Sequence, residues 1–97
     1  MRFRLARAAE RDIETIGDWI ARDDPDAAAR FTAELETTAR RIVAMPYAFP
    51  AVGAANTSLR KRSYRGYIIY YQVSRTTVTV TRILHHARDQ AGQLRTS

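Results

Sequence analysis

The chain opens with an alternation. In "RFRLA" (residues 2–6) Phe3 and Leu5 point one way and Arg2 and Arg4 the other, the period of a half-buried strand. From about Ala8 the period lengthens to that of a helix. Ala9, Ile13, Ile16 and Ile20 recur at spacings of four, three and four, and Trp19 lies beside them. Glu10, Arg11, Glu14 and Asp18 fall on the polar side, so an amphipathic helix is predicted. "RDDPDAAARF" (22–31) ends that helix and starts another. Asp24 suits the cap, Pro25 the first helical position, and Asp26 the positive end of the dipole. The second stripe runs Ala28, Phe31, Leu35, Ala39, Ile42, and Pro46 ends it. So short a connection predicts an antiparallel helical hairpin.

Residues 46–58, "PYAFPAVGAANTS", hold two prolines and a glycine with little charge, and read as a loop crossing to a sheet. Beyond it "LRKRSY", "YIIYYQV" and "TTVTVTRIL" are rich in Tyr, Ile, Val and Thr. They are separated only by Arg65-Gly66 and Ser74-Arg75, which predicts a three-stranded antiparallel meander. Residues 91–97 read as a short frayed tail. The predicted order is β-α-α-β-β-β, an α+β fold of one domain over 1–97. The hairpin covers one face of a small, mainly antiparallel sheet, and the other face is left partly free to present arginines.

Composition narrows the function classes. There are no cysteines, which excludes disulfides, thiolate nucleophiles and the common zinc clusters. No run reaches the ~18 apolar residues of a membrane span, and the basic start lacks an apolar signal region. The expectation is an unprocessed, cytoplasmic chain with no cofactor. Net charge is +6, and the excess is arginine, with Lys61 as the single lysine. The guanidinium fork suits phosphates and carboxylates, which points to an acidic partner. The competing explanation is the Arg-for-Lys habit of GC-rich genomes.

The ordered combination "AERDIETIGDWI" (9–20), "DPDAAARF" (24–31), "LRKRSYRGYIIYYQV" (59–73) and "VTVTRILHHARD" (78–89) resembles the ParE branch of the ParE/RelE toxins of bacterial toxin–antitoxin pairs. The closing R-I-L-H-x-x-R-D is its sharpest part. The chain departs from the pattern in having no Ser or Thr ahead of the first helix, and in His86 where a small residue is common. The resemblance implies a RelE/ParE-like fold and a toxin neutralised by a ParD-like antitoxin and acting on DNA gyrase. RelE relatives instead cut messenger RNA on the ribosome.

"RILHHARD" (82–89) is where the two activities diverge. A metal-free ribonuclease needs a base, an acid and a cation at one phosphate. His85, His86 and Arg82, with Arg60 and Arg62, supply the residue types. Adjacent side chains diverge on strand or helix alike, so two neighbouring histidines do not readily share one phosphate or one metal. No metal site is expected. The bland reading is a strand end: His85 packed and hydrogen-bonded, Arg88 and Asp89 pairing to hold the tail. The reading carried forward is docking, with Arg82, His85, Arg88 and Asp89 meeting the target and no catalytic residue. Antitoxin contacts are expected at Trp19, Phe31, Leu59, Arg60, Arg62 and Arg82.

Two groups carry rival readings. Arg60, Lys61 and Arg62 sit on a predicted edge strand, where they block stray pairing or attract an acidic partner. Tyr64, Tyr67, Tyr70 and Tyr71 are read as sheet packing before base stacking. Trp19 is expected to pack against the hairpin, or, if exposed beside Arg22 and Arg30, to anchor a partner. A RelE-like endoribonuclease and a non-toxic basic nucleic-acid-binding module remain the alternatives.

Overall fold

A computed structural model describes residues 1–53 and 58–87. The elements are β1 (Arg2–Leu5), α1 (Arg7–Ala21), α2 (Pro25–Arg41), β2 (Leu59–Tyr64), β3 (Tyr67–Val73) and β4 (Thr77–His85), with a 3-10 turn at Ile42–Ala44. The α+β order is the predicted one. The sheet runs β1-β4-β3-β2; β1 joins β4 in parallel, and the other two pairings are antiparallel. The final strand starts and ends one residue later than its pattern suggested. Among the described residues no helix is long and apolar enough to cross a membrane.

Local chemistry explains the start of α2 and the turn between β2 and β3. Asp24 accepts from the Ala27 N–H at 3.0 Å, and Pro25 opens α2. At the start of α1, Ala6 offers no side-chain cap. Gly17 faces α2 at close range: a Cβ there would meet Thr32 Cγ2 at 3.2 Å, so a larger residue would require the threonine to give way. Arg65 and Gly66, at φ 46° and 86°, form the tight turn that matches hairpin twist.

The core lies between the hairpin and one sheet face. Ala9, Ile16, Leu35 and Ala39 meet Ile69, Tyr71, Val78, Val80 and Ile83 there. The opposite face carries a second apolar cluster of Ile68, Tyr70 and Leu84, joined by Val52 and Leu59. That face is therefore less open than the sequence suggested. The loop after α2 also does more than cross over. The Val52 N–H donates to Leu59 O and the Lys61 N–H to Pro50 O, so residues 50–52 line the outer edge of β2.

A bulge in β4 governs the rest. Tyr70 pairs with Arg82 but Tyr71 with Val80, which leaves Thr81 as the extra residue. Before it, Val78 and Val80 face the helices; after it, Ile83 does. Simple alternation would have sent Arg82 into the core.

Tyr71 ties loop to sheet. Its hydroxyl donates to Pro46 O at 2.7 Å, and burial pushes the phenol above its ordinary value near 10, against the opposing pull of Arg60. Tyr71→Phe is expected to cost about 1 kcal/mol in urea denaturation with an unchanged m-value. The unfolded phenol ionises before the folded one, so wild-type stability falls as pH rises through 10 and above. The Phe variant lacks that contribution, and the gap between the two narrows over the same range.

Candidate interaction surface at the β4 edge and the β2 margin

β1 accompanies β4 only as far as Val80, and the outer edge of β4 then turns to α1. Asp12 serves as its cap. Asp12 Oδ2 accepts from the Ile83 N–H at 2.8 Å, and the carboxylate takes Arg82 Nε and Nη2 at 2.8 and 2.9 Å. Such bidentate geometry is the strong form of an arginine–carboxylate pair. Arg82 was expected as a free cation for a phosphate, an antitoxin or a target. It is instead held inside the fold, because the bulge turns it out of the core beside the one acid on the buried side of α1.

His85 closes β4. Its ring meets Tyr67 edge-on at 5.2 Å, and its Nδ1 accepts from the Ala87 N–H at 3.2 Å. His86 is exposed in the following turn, its N–H donating to Gly66 O at 2.8 Å. The two rings thus occupy different settings, one packed on the helix-covered side and one in solvent. Arg88 and Asp89, and the tail at 91–97, lie outside the described residues.

Beside the Asp12 cap, α1 exposes a shallow depression of about 390 Å³ lined by Asp12, Ile16, Trp19, Arg22 and Ile83. Trp19 is 50% exposed, with the Arg22 guanidinium 5.2 Å from its ring. Of the two readings of Trp19, packed against the hairpin or exposed beside an arginine, its exposure next to Arg22 fits the second; it shares the depression with Ile83, beyond Val80 where the pairing of β4 with β1 ends.

Arg60 and Arg62 lie on β2, an edge strand as expected. Their register with Tyr71 and Ile69 puts both on the helix-covered side of the sheet. Arg60 donates to Phe49 O at 2.6 Å and lies 5.1 Å from the Tyr47 ring. Arg62 lies between Phe49 and Tyr64, at 5.0 and 5.9 Å. Arginine and aromatic side chains so alternate along the margin, with Tyr47 64% exposed. Phe31 is half-buried against Tyr64 and Tyr67, and Leu59 packs on the opposite face. The six expected antitoxin contacts therefore fall into separate zones: Arg60 with Arg62, Trp19 near Arg82, and Phe31 and Leu59 apart.

Asp12, Tyr47 and Phe49 escaped the sequence reading. Asp12 left a signal, standing three residues after Ala9 and four before Ile16, an acid within the apolar stripe. Tyr47 and Phe49 left none, being two aromatics in a loop.

The family model for the ParE toxin of type II toxin–antitoxin systems of the parDE kind matches residues 3–90. The chain belongs to the ParE toxin family. As such it is the toxin of a type II toxin–antitoxin pair, and its partner is an antitoxin. The solved chromosomal ParDE toxin–antitoxin system from P. aeruginosa is similar at a TM-score of 0.73 and 14% identity, covering 88% of this chain and 95% of that one. The toxin–antitoxin complex RelBE2 from Mycobacterium tuberculosis is similar at 0.66 and 18%, covering 87% and 95%. At such identities the likeness is one of fold. No curated protein matches the sequence significantly.

Proposed function

We propose that this ParE toxin acts in the cytoplasm by docking on DNA gyrase, performs no chemistry of its own, and is silenced by a ParD-like antitoxin. The observation that carries the reading is the engagement of the groups a nuclease would need. Arg82 is spent on Asp12 and the β4 edge, and His85 is wedged on Tyr67 with Nδ1 accepting from the backbone. A general base must reach its proton and a cation must reach the phosphate in one geometry. Here each group supports the strand end, a rigid surface suited to contact.

Antitoxin binding follows from two unlike zones. The Trp19 depression accepts the apolar side of an amphipathic helix, and the Arg60–Arg62 margin attracts an acidic extended segment. In this reading Arg82 and His85 shape the target-binding end from within, and Arg88 and Asp89 extend it.

Induction of the chain alone is expected to arrest growth, with co-expression of the antitoxin restoring it. The His85→Gln/His86→Gln variant is expected to stay toxic, to induce a DNA-damage response and to leave transcripts intact. Purified wild-type chain should inhibit supercoiling by gyrase. Loss of toxicity in the folded double variant, together with cut messages from the wild type, refutes the proposal in favour of a RelE-like ribonuclease. Growth without arrest in the absence of antitoxin refutes it in favour of a harmless binding module.

A further inference from the structure

Charge is divided between two sides of this molecule. The hairpin segment, 7–41, holds nine of the ten acidic residues together with six arginines. The four strands and the turns joining β2, β3 and β4 carry eight basic residues and no acid. The overall +6 thus understates how positive the sheet side is.

On the open face, register assembles a polar field across β1, β4 and β3, bordered at Gln72 by Leu59 of the Ile68–Tyr70–Leu84 cluster. Arg4 lies beside Thr79 and Thr79 beside Gln72, a row crossing β1, β4 and β3. Arg2 lies beside Thr77 in the next row. Arg2, Arg4 and Gln72 are exposed, and Thr77 and Thr79 are half-buried. Among the described residues neither Arg2 nor Arg4 meets a carboxylate, and the Thr79 side chain makes no hydrogen bond. Arg75, exposed in the adjoining turn, adds a further cation.

We propose that this polar half of the open sheet face binds the phosphodiester backbone of duplex DNA, with Arg2 and Arg4 neutralising phosphates and Thr77, Thr79 and Gln72 hydrogen-bonding to their oxygens. Arginine, threonine and glutamine are the side chains that hold phosphates without reading sequence. Surfaces for single strands rely on exposed rings that stack on bases. Here the aromatic of that face, Tyr70, is 2% exposed and belongs to the apolar half. An acidic peptide adding at the β1 edge would meet Arg2 and Arg4 but not Gln72, two strands further in. A broad rigid polyanion resting on the face reaches all three strands. The inference stands apart from the gyrase reading, since it concerns direct contact with DNA.

The test is fluorescence polarisation of the purified full chain with a labelled duplex of about 24 mixed base pairs, between about 50 and 200 mM salt. Arg2→Gln/Arg4→Gln is expected to weaken binding at least about fivefold at low salt and to reduce the log–log salt slope by about 2. Arg2→Lys/Arg4→Lys, which keeps the charges, should retain most of the affinity. Thr79→Val, with a strand-compatible side chain, should lose about two- to threefold and keep the slope. The control Arg11→Gln/Arg30→Gln removes the same charge from the hairpin and should change affinity less than about twofold. Circular dichroism melts establish that each variant is folded. An equal loss in the two Gln pairs makes net charge the cause and overturns the proposal. So does a wild-type chain that does not bind, an unchanged affinity in Arg2→Gln/Arg4→Gln, or tighter binding to the corresponding single strand. A wild-type chain that inhibits gyrase but does not bind the duplex sinks this inference and leaves the gyrase reading standing.

Discussion

Asp12→Ala lowers the stability of the isolated chain by about 2–4 kcal/mol, more than its small size suggests. Two losses combine. The Ile83 N–H, at a residue 1% exposed, is left without its acceptor, which costs about 1–3 kcal/mol. Arg82 loses its carboxylate, but its side chain is 35% exposed, so water offsets much of that second loss. Domains of this size have about 5–15 kcal/mol in all, and each kilocalorie moves the midpoint by roughly 4–8 °C. Urea and thermal denaturation followed by circular dichroism measure it. Arg82→Gln is the informative comparison. It spares the Asp12–Ile83 bond and is expected to cost about half as much. If the arginine variant is the more damaging of the two, Asp12 is not the cap of the β4 edge. The asymmetry also matters for function. A charge reversal at Arg82 would set two carboxylates together at that edge, and any loss of partner affinity would then be a folding effect.

Trp19 offers the cleaner probe of the antitoxin. Trp19→Ala should leave stability within about 0.5 kcal/mol, as expected of a surface residue away from special features. It should weaken the complex with the antitoxin by at least about thirtyfold, or about 2 kcal/mol, the scale of a tryptophan hot spot. Trp19→Phe, which keeps a ring, should fall between. Calorimetry reads the affinity. Because Trp19 is the only tryptophan, its fluorescence reports burial on complex formation with no added label. An affinity within about threefold of wild type takes the α1 flank out of the antitoxin interface.

The two predictions differ in how visible their residues were beforehand. Trp19 drew notice as a large aromatic beside an apolar stripe, and the open point was whether it packs or stands exposed. Trp19 shares its depression with Ile83, which lies beyond the end of the β1–β4 pairing at Val80, and no repeat within α1 encodes where a distant strand ends. Asp12 was passed over although its place between Ala9 and Ile16 gave the signal, since an acid on a buried stripe needs a partner. The partner, Arg82, lies 70 residues away. Arg60 and Arg62 show the same limit. Their spacing gave a strand and a shared face, but which face depends on register against β3.

By itself, the sequence determined the element order, both helical stripes, the Asp24–Pro25 start of α2, the Arg65-Gly66 turn and the meander. Each is set by neighbours a few residues apart, through periodicity, capping and turn conformation. Membership of the ParE toxin family was likewise legible in the ordered motifs. Only the tertiary structure decided that β1 runs parallel to β4, that Thr81 is the bulge which turns Arg82 toward Asp12, that 50–52 line the edge of β2, and that Arg2 and Arg4 share the open face with Thr77, Thr79 and Gln72. Those features depend on contacts between segments far apart in the chain, where register and loop closure, not local preference, choose the partner.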